Sequence, residues 1–94
     1  MLNLDQRVTI SEEVLSQEVS GETVLLDLGS ENYFGLDEVG TRIWQLLKEN
    51  GHLRVVFDTM LAEYEVDEAR LAQDLASLLT EISDLGLISL EPIT

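Results

Sequence analysis

The sequence predicts an α+β domain: a three-stranded antiparallel sheet followed by three helices. Three observations carry this. The first third alternates in the manner of strands, the chain switches to helical period after Asp37, and Gly or Asn-Gly marks the ends of the helical segments. Strands followed by helices, with tight turns between the strands, imply antiparallel pairing. The 94 residues have room for one hydrophobic core, so residues 1–94 are expected to form a single domain.

The elements follow in order. Val14 to Ser20 and Thr23 to Leu28 are apolar and β-branched runs separated at Gly21-Glu22, which predicts a hairpin. Gly29-Ser30-Glu31 is a second turn signal, and Asn32 to Leu36 gives a short third strand. Alternation puts Phe34 and Leu36 on one face of it, Tyr33 and Gly35 on the other. Arg7 to Ile10 reads as a short lead-in strand, and Leu87 to Leu90 as a brief strand after the helices.

Asp37 is a good N-cap for the first helix, whose Val39, Ile43, Leu46 and Leu47 fall on one face. Gly40 in its first turn would let another backbone come close, and Asn50-Gly51 reads as its stop. The second helix runs from about Leu53 to Tyr64, with Val56, Phe57, Met60, Leu61 and Tyr64 apolar. Asp67 caps the third and longest helix, which ends at Leu85-Gly86. The short connection between the second and third helices gives this half the order of a winged helix-turn-helix.

Composition removes several functions. Nineteen Asp and Glu against five Lys and Arg give a formal net charge of -14. Nucleic-acid affinity comes largely from cations set on phosphates, and the third helix offers Asp67, Glu68, Asp74, Glu81 and Asp84 against Arg70 alone. Neither a nucleic acid nor an anionic membrane is therefore an expected partner. There is no cysteine and one histidine, His52, with no pattern of nucleophile and orienting acid around it. His52 reads as a surface or capping residue. The carboxylate spacings match neither a calcium loop nor a zinc helix, and single glycines make no phosphate cradle. No catalytic residue, metal site or cofactor is expected. The N-terminal run Met1 to Asp5 has no signal-peptide pattern and no apolar stretch approaches about 20 residues, so the expected location is the cytoplasm.

A binding role has more to stand on. Projected at about 100° per residue, the third helix shows a stripe of Leu71, Leu75, Leu78, Ile82 and Leu85. Arg70, Asp74, Ser77 and Glu81 form a polar flank, and Ala72, Ala76, Leu79 and Ser83 form an uncharged one. That second flank is either the margin of a wide core stripe or the wall of a shallow groove. If the third strand is a sheet edge, its backbone is free to pair with an extended peptide.

The run Tyr33-Phe34-Gly35-Leu36-Asp37-Glu38-Val39-Gly40-Thr41-Arg42-Ile43-Trp44-Gln45-Leu46-Leu47 resembles the signature of PqqD-like proteins. These are the leader-peptide recognition elements of pathways that make peptide natural products on the ribosome. The pattern is most similar to the stand-alone recognition proteins of lasso-peptide clusters. Tyr64-Glu65-Val66-Asp67, with the helix carrying Asp74-Leu75, matches a second and weaker part of the pattern. The likeness extends from about Val14 to Leu90.

The resemblance implies three strands and three helices, with a precursor's leader paired to the third strand in a cleft against the third helix. By position, the leader-binding residues are then Asn32, Tyr33, Phe34, Gly35 and Leu36 on the strand, and Ala72, Ala76, Leu79 and Ser83 on the helix. It also implies a non-catalytic adaptor that hands its precursor to a separate leader peptidase, a cysteine protease, and onward to the ring-closing cyclase. Two alternatives stay open: a PqqD-type peptide chaperone for a radical SAM enzyme, and a winged-helix interaction or regulatory domain. Trp44 is expected in the packing rather than the peptide site.

Overall fold

The computed structural model describes residues 2–93. It contains β1 (Gln6–Ile10), β2 (Val14–Val19), β3 (Glu22–Asp27), β4 (Tyr33–Leu36), α1 (Glu38–Glu49), α2 (Leu53–Glu63), α3 (Glu68–Asp84) and β5 (Ile88–Pro92). β2, β3 and β4 form an antiparallel sheet in that order, and three helices follow. The predicted fold class therefore holds, with the third strand of the sequence reading now β4.

The β2–β3 turn is Ser20-Gly21, both at positive φ (53° and 84°). Two left-handed residues make the tight hairpin turn whose twist matches the flanking strands. Beyond β3, Asp27 accepts from the Gly29 amide and the Ser30 hydroxyl, and its own amide donates to the Asn32 carbonyl. That closes the turn delivering β4.

The helix starts are those the sequence predicts. Asp37 accepts from the Gly40 amide, Asp67 from the Arg70 amide, and His52 caps α2 through Nδ1, which accepts from the Arg54 amide. Gly86 ends α3 at φ 79°, with the Leu87 amide returning to the Ile82 carbonyl.

β1 and β5 join the two ends of the described chain as a second antiparallel sheet, Gln6 opposite Pro92 and Ile10 opposite Ile88. The lead-in and trailing strands were expected; their pairing was not, because no local signal links segments so far apart. α1 stops at Asn50-Gly51 as expected, but the glycine there serves another contact. Asn50 ends α1 in extended backbone, while the Val8 amide donates to the Gly51 carbonyl (2.8 Å). A Cβ at Gly51 would lie 2.3 Å from the Val8 carbonyl oxygen, so the glycine is needed where β1 crosses the α1–α2 loop. Gly51→Ala is expected to lower stability by about 1–3 kcal/mol through forced displacement of β1, measurable by urea denaturation. Gly40 likewise serves close packing, but its neighbour is the Leu36 side chain, with Cδ2 3.2 Å from where a Cβ would stand.

Leu25, Leu53, Val56, Met60, Leu75, Leu79, Ile82 and Leu87 are fully buried, and Trp44 joins them in the core, as expected. Arg42 on α1 donates through two nitrogens to both carboxylate oxygens of Glu63 on α2 (2.7 and 2.6 Å). Those hydrogen bonds hold the Glu63 carboxyl below the usual carboxylate range. The clamp thus operates above the ordinary glutamate range and is released as pH falls through the lowered value.

Candidate peptide-binding cleft

Among the described residues, β4 has β3 on one side and no strand on the other. Alternation decides which of its backbone groups are free. The Leu28 amide donates to the Glu13 carbonyl and the Asp27 amide to the Asn32 carbonyl. Even positions of β3 therefore bond β2 and odd positions bond β4. With Leu25 opposite Phe34 and Thr23 opposite Leu36, Phe34 and Leu36 use their backbone groups on β3. Tyr33 and Gly35 turn their N–H and C=O to the open edge.

Beside that edge runs a cleft of about 520 Å³, lined on one side by Phe34, Leu36, Val39 and Ile43 and on the other by residues of α3. Its floor is apolar because the inward side chains of β4 meet the first two turns of α1. Leu36 and Ile43 are buried, Phe34 is half-buried, and Val39 remains 41% exposed. A free strand edge above an apolar trough accepts an extended chain: the backbone bonds hold it and the trough selects its inward side chains.

The helix wall of this cleft is Asp74, Ser77, Leu78 and Glu81. The expected wall of Ala72, Ala76, Leu79 and Ser83 does not line this cleft. Leu79 is 2% exposed and belongs to the core. Ala72 and Ala76 share a different depression with Leu2, Ala69, Gln73 and Thr80, while half-buried Ser83 lines neither.

The physical reason is a rotation of α3. Its buried residues are Leu71, Leu75, Leu79 and Ile82, a stripe turned by about 35° from the predicted one towards the alanine side. Leu2 and Leu4 pack against the core near that side, with Leu2 and Ala72 lining the same depression. Rotation brings Leu78, expected in the centre of the core, to the cleft. Of the predicted strand residues, Phe34, Gly35 and Leu36 line the cleft and Tyr33 supplies free backbone groups; Asn32 is exposed in the preceding turn.

Among the described residues, no three His, Asp or Glu side chains group as metal ligands, and no helix is long and apolar enough to cross a membrane. An open edge strand, an apolar trough and a helix wall are the elements with which a domain can accept an extended peptide as an added strand.

The chain belongs to the PqqD family. The family model described as coenzyme PQQ synthesis protein D (PqqD) matches residues 22–88. Among solved structures, the chain is similar to TbiB1 in complex with the TbiA(beta) leader peptide (40% identity, TM-score 0.80, covering 85% of this chain and 93% of that one). It is also similar to a lasso peptide synthetase B1 complexed with its leader peptide (25% identity, TM-score 0.77, covering 88% and 98%). None of the curated proteins matches the chain in sequence.

Proposed function

We propose that this protein binds the leader segment of a ribosomally made precursor, of the lasso-peptide kind, as an added strand on β4. It then presents that precursor, uncleaved, to a separate leader peptidase in the cytoplasm. The observation that carries the reading is the open edge of β4, with Tyr33 and Gly35 free above the cleft between α1 and α3. The two similar solved structures, each a complex with a leader peptide, support it. The acidic wall of α3 speaks against the winged-helix regulator, since phosphates would be repelled from it.

The direct experiment is titration of the protein with labelled TbiA(beta) leader peptide, following anisotropy and peptide mass together. Saturable binding with the peptide intact is expected. A shortened peptide would remove the adaptor role, and absence of binding would remove the leader reading. Labelled duplex DNA in the same assay is expected to give no signal.

Strand addition makes a narrower prediction. Gly35→Pro removes an amide that faces the open edge, and a Cβ at Gly35 would meet nothing within 4 Å. The variant should stay folded and bind the same peptide more than tenfold more weakly, a loss of about 1.4 kcal/mol. Phe34→Pro instead breaks a β3–β4 bond and should lower the melting temperature. A folded Gly35→Pro protein with unchanged affinity would count against pairing through β4.

A further inference from the structure

The walls of the cleft differ in character. β4 and α1 give it an apolar floor, whereas α3 places Leu78 between two carboxylates, Asp74 and Glu81, along the same side. Asp74 has a weak partner, Arg70 at 3.6 Å, with both side chains largely exposed. No hydrogen bond or ion pair engages the Glu81 carboxylate among the described residues. Asp37, the third carboxylate of the cleft, is occupied with capping Gly40. A backbone-paired peptide therefore has its cleft-facing side chains between an apolar floor and an acidic wall that only Arg70 partly neutralises.

We infer that Asp74 and Glu81 set the sequence preference of the bound peptide, requiring a Lys or Arg two residues from the apolar side chain that packs on Leu78. The spacing follows from the two repeats. Asp74 and Glu81 stand about 6 Å and 4.5 Å from Leu78 along the helix axis. Same-face side chains of an extended peptide recur about every 6.8 Å. An apolar residue over Leu78 thus puts its i+2 or i−2 neighbour beside one acid, and a flexible basic stem covers the remaining offset. In a protein of net charge -14 such a peptide is also drawn in at long range, while an acidic peptide of equal apolar content is turned away. The role is one of selection: the edge of β4 holds any extended chain, and the α3 wall chooses among them.

This inference rests on the leader-binding reading, and the experiment separates the two. A phage-displayed library of random 16-residue peptides is panned against the wild-type protein and against the Asp74→Asn, Glu81→Gln double variant. Both positions are exposed, so the double variant should keep the wild-type melting temperature. Wild-type protein should enrich sequences with Lys or Arg two residues from a large apolar residue. The double variant should enrich apolar sequences without that cation. A synthetic wild-type-selected peptide should bind the double variant about threefold to fivefold more weakly, the loss of one partly exposed ion pair, and only its wild-type affinity should fall steeply with added salt. Enriched peptides without a cation preference, or the same preference in both proteins, would overturn the role of Asp74 and Glu81 alone. Failure to enrich any peptide would overturn peptide binding and this inference with it.

Discussion

Leu78→Arg should abolish measurable binding of the TbiA(beta) leader peptide while the protein stays folded. Leu78 is half-buried on the α3 wall of the cleft, so a guanidinium on a long stem would occupy the trough that the peptide's inward side chains need. The new arginine would have Asp74 at i−4 and Glu81 at i+3, the spacings at which helical side chains meet. Those contacts and the solvent-reaching stem offset part of the lost burial. The contrast is Ala76→Arg, two residues earlier on the same helix. Ala76 lines the depression shared with Leu2, away from β4, so that variant should bind as the wild type does. Anisotropy titrations of both, with melting curves as the control, check the pair. Loss of binding in Ala76→Arg with retention in Leu78→Arg would return the site to the alanine flank.

Leu75→Ala and Ile82→Ala should each lower stability by about 2–5 kcal/mol in urea denaturation. Both side chains are fully buried, and each sits on the stripe by which α3 holds the core together. In a chain of 94 residues that is a large fraction of a total of about 5–15 kcal/mol. Leu79→Ala belongs to the same class, since Leu79 is equally enclosed. A cleft-wall residue would show no such loss, so Leu79 separates the two orientations of α3 by stability alone.

What was legible in the sequence was local. Asp37, Asp67 and Gly86 act within one turn of the backbone groups they satisfy, and the hairpin at Ser20-Gly21 depends on two adjacent dihedrals. The edge strand Tyr33–Leu36 was legible for the same reason, and it carries half of the candidate site. The other half depends on how far α3 turns about its axis. Hydrophobic period alone fixes that only within a flank, because Leu78 and Leu79 differ by about 100° and both are leucines. The choice is made by Leu2 and Leu4 packing near the alanine side, a contact between distant segments. The helix stop at Asn50-Gly51 was legible, but the close contact that demands glycine was not: it is made by the Val8 carbonyl of β1, some forty residues earlier.

Among the described residues the sheet has two open edges, β2 and β4, and strand addition on β4 is the central claim. Residue-resolved amide hydrogen exchange by NMR, with and without saturating TbiA(beta) leader peptide, tests it most directly. The amides of Tyr33 and Gly35, which face the open edge, should become strongly protected on binding. Those of Phe34 and Leu36, already bonded to β3, should change little. On the far edge, the amides of Ser16 and Glu18 should exchange as before. Protection of Ser16 and Glu18 instead, or bound peptide with Tyr33 and Gly35 still exchanging freely, would contradict pairing on β4.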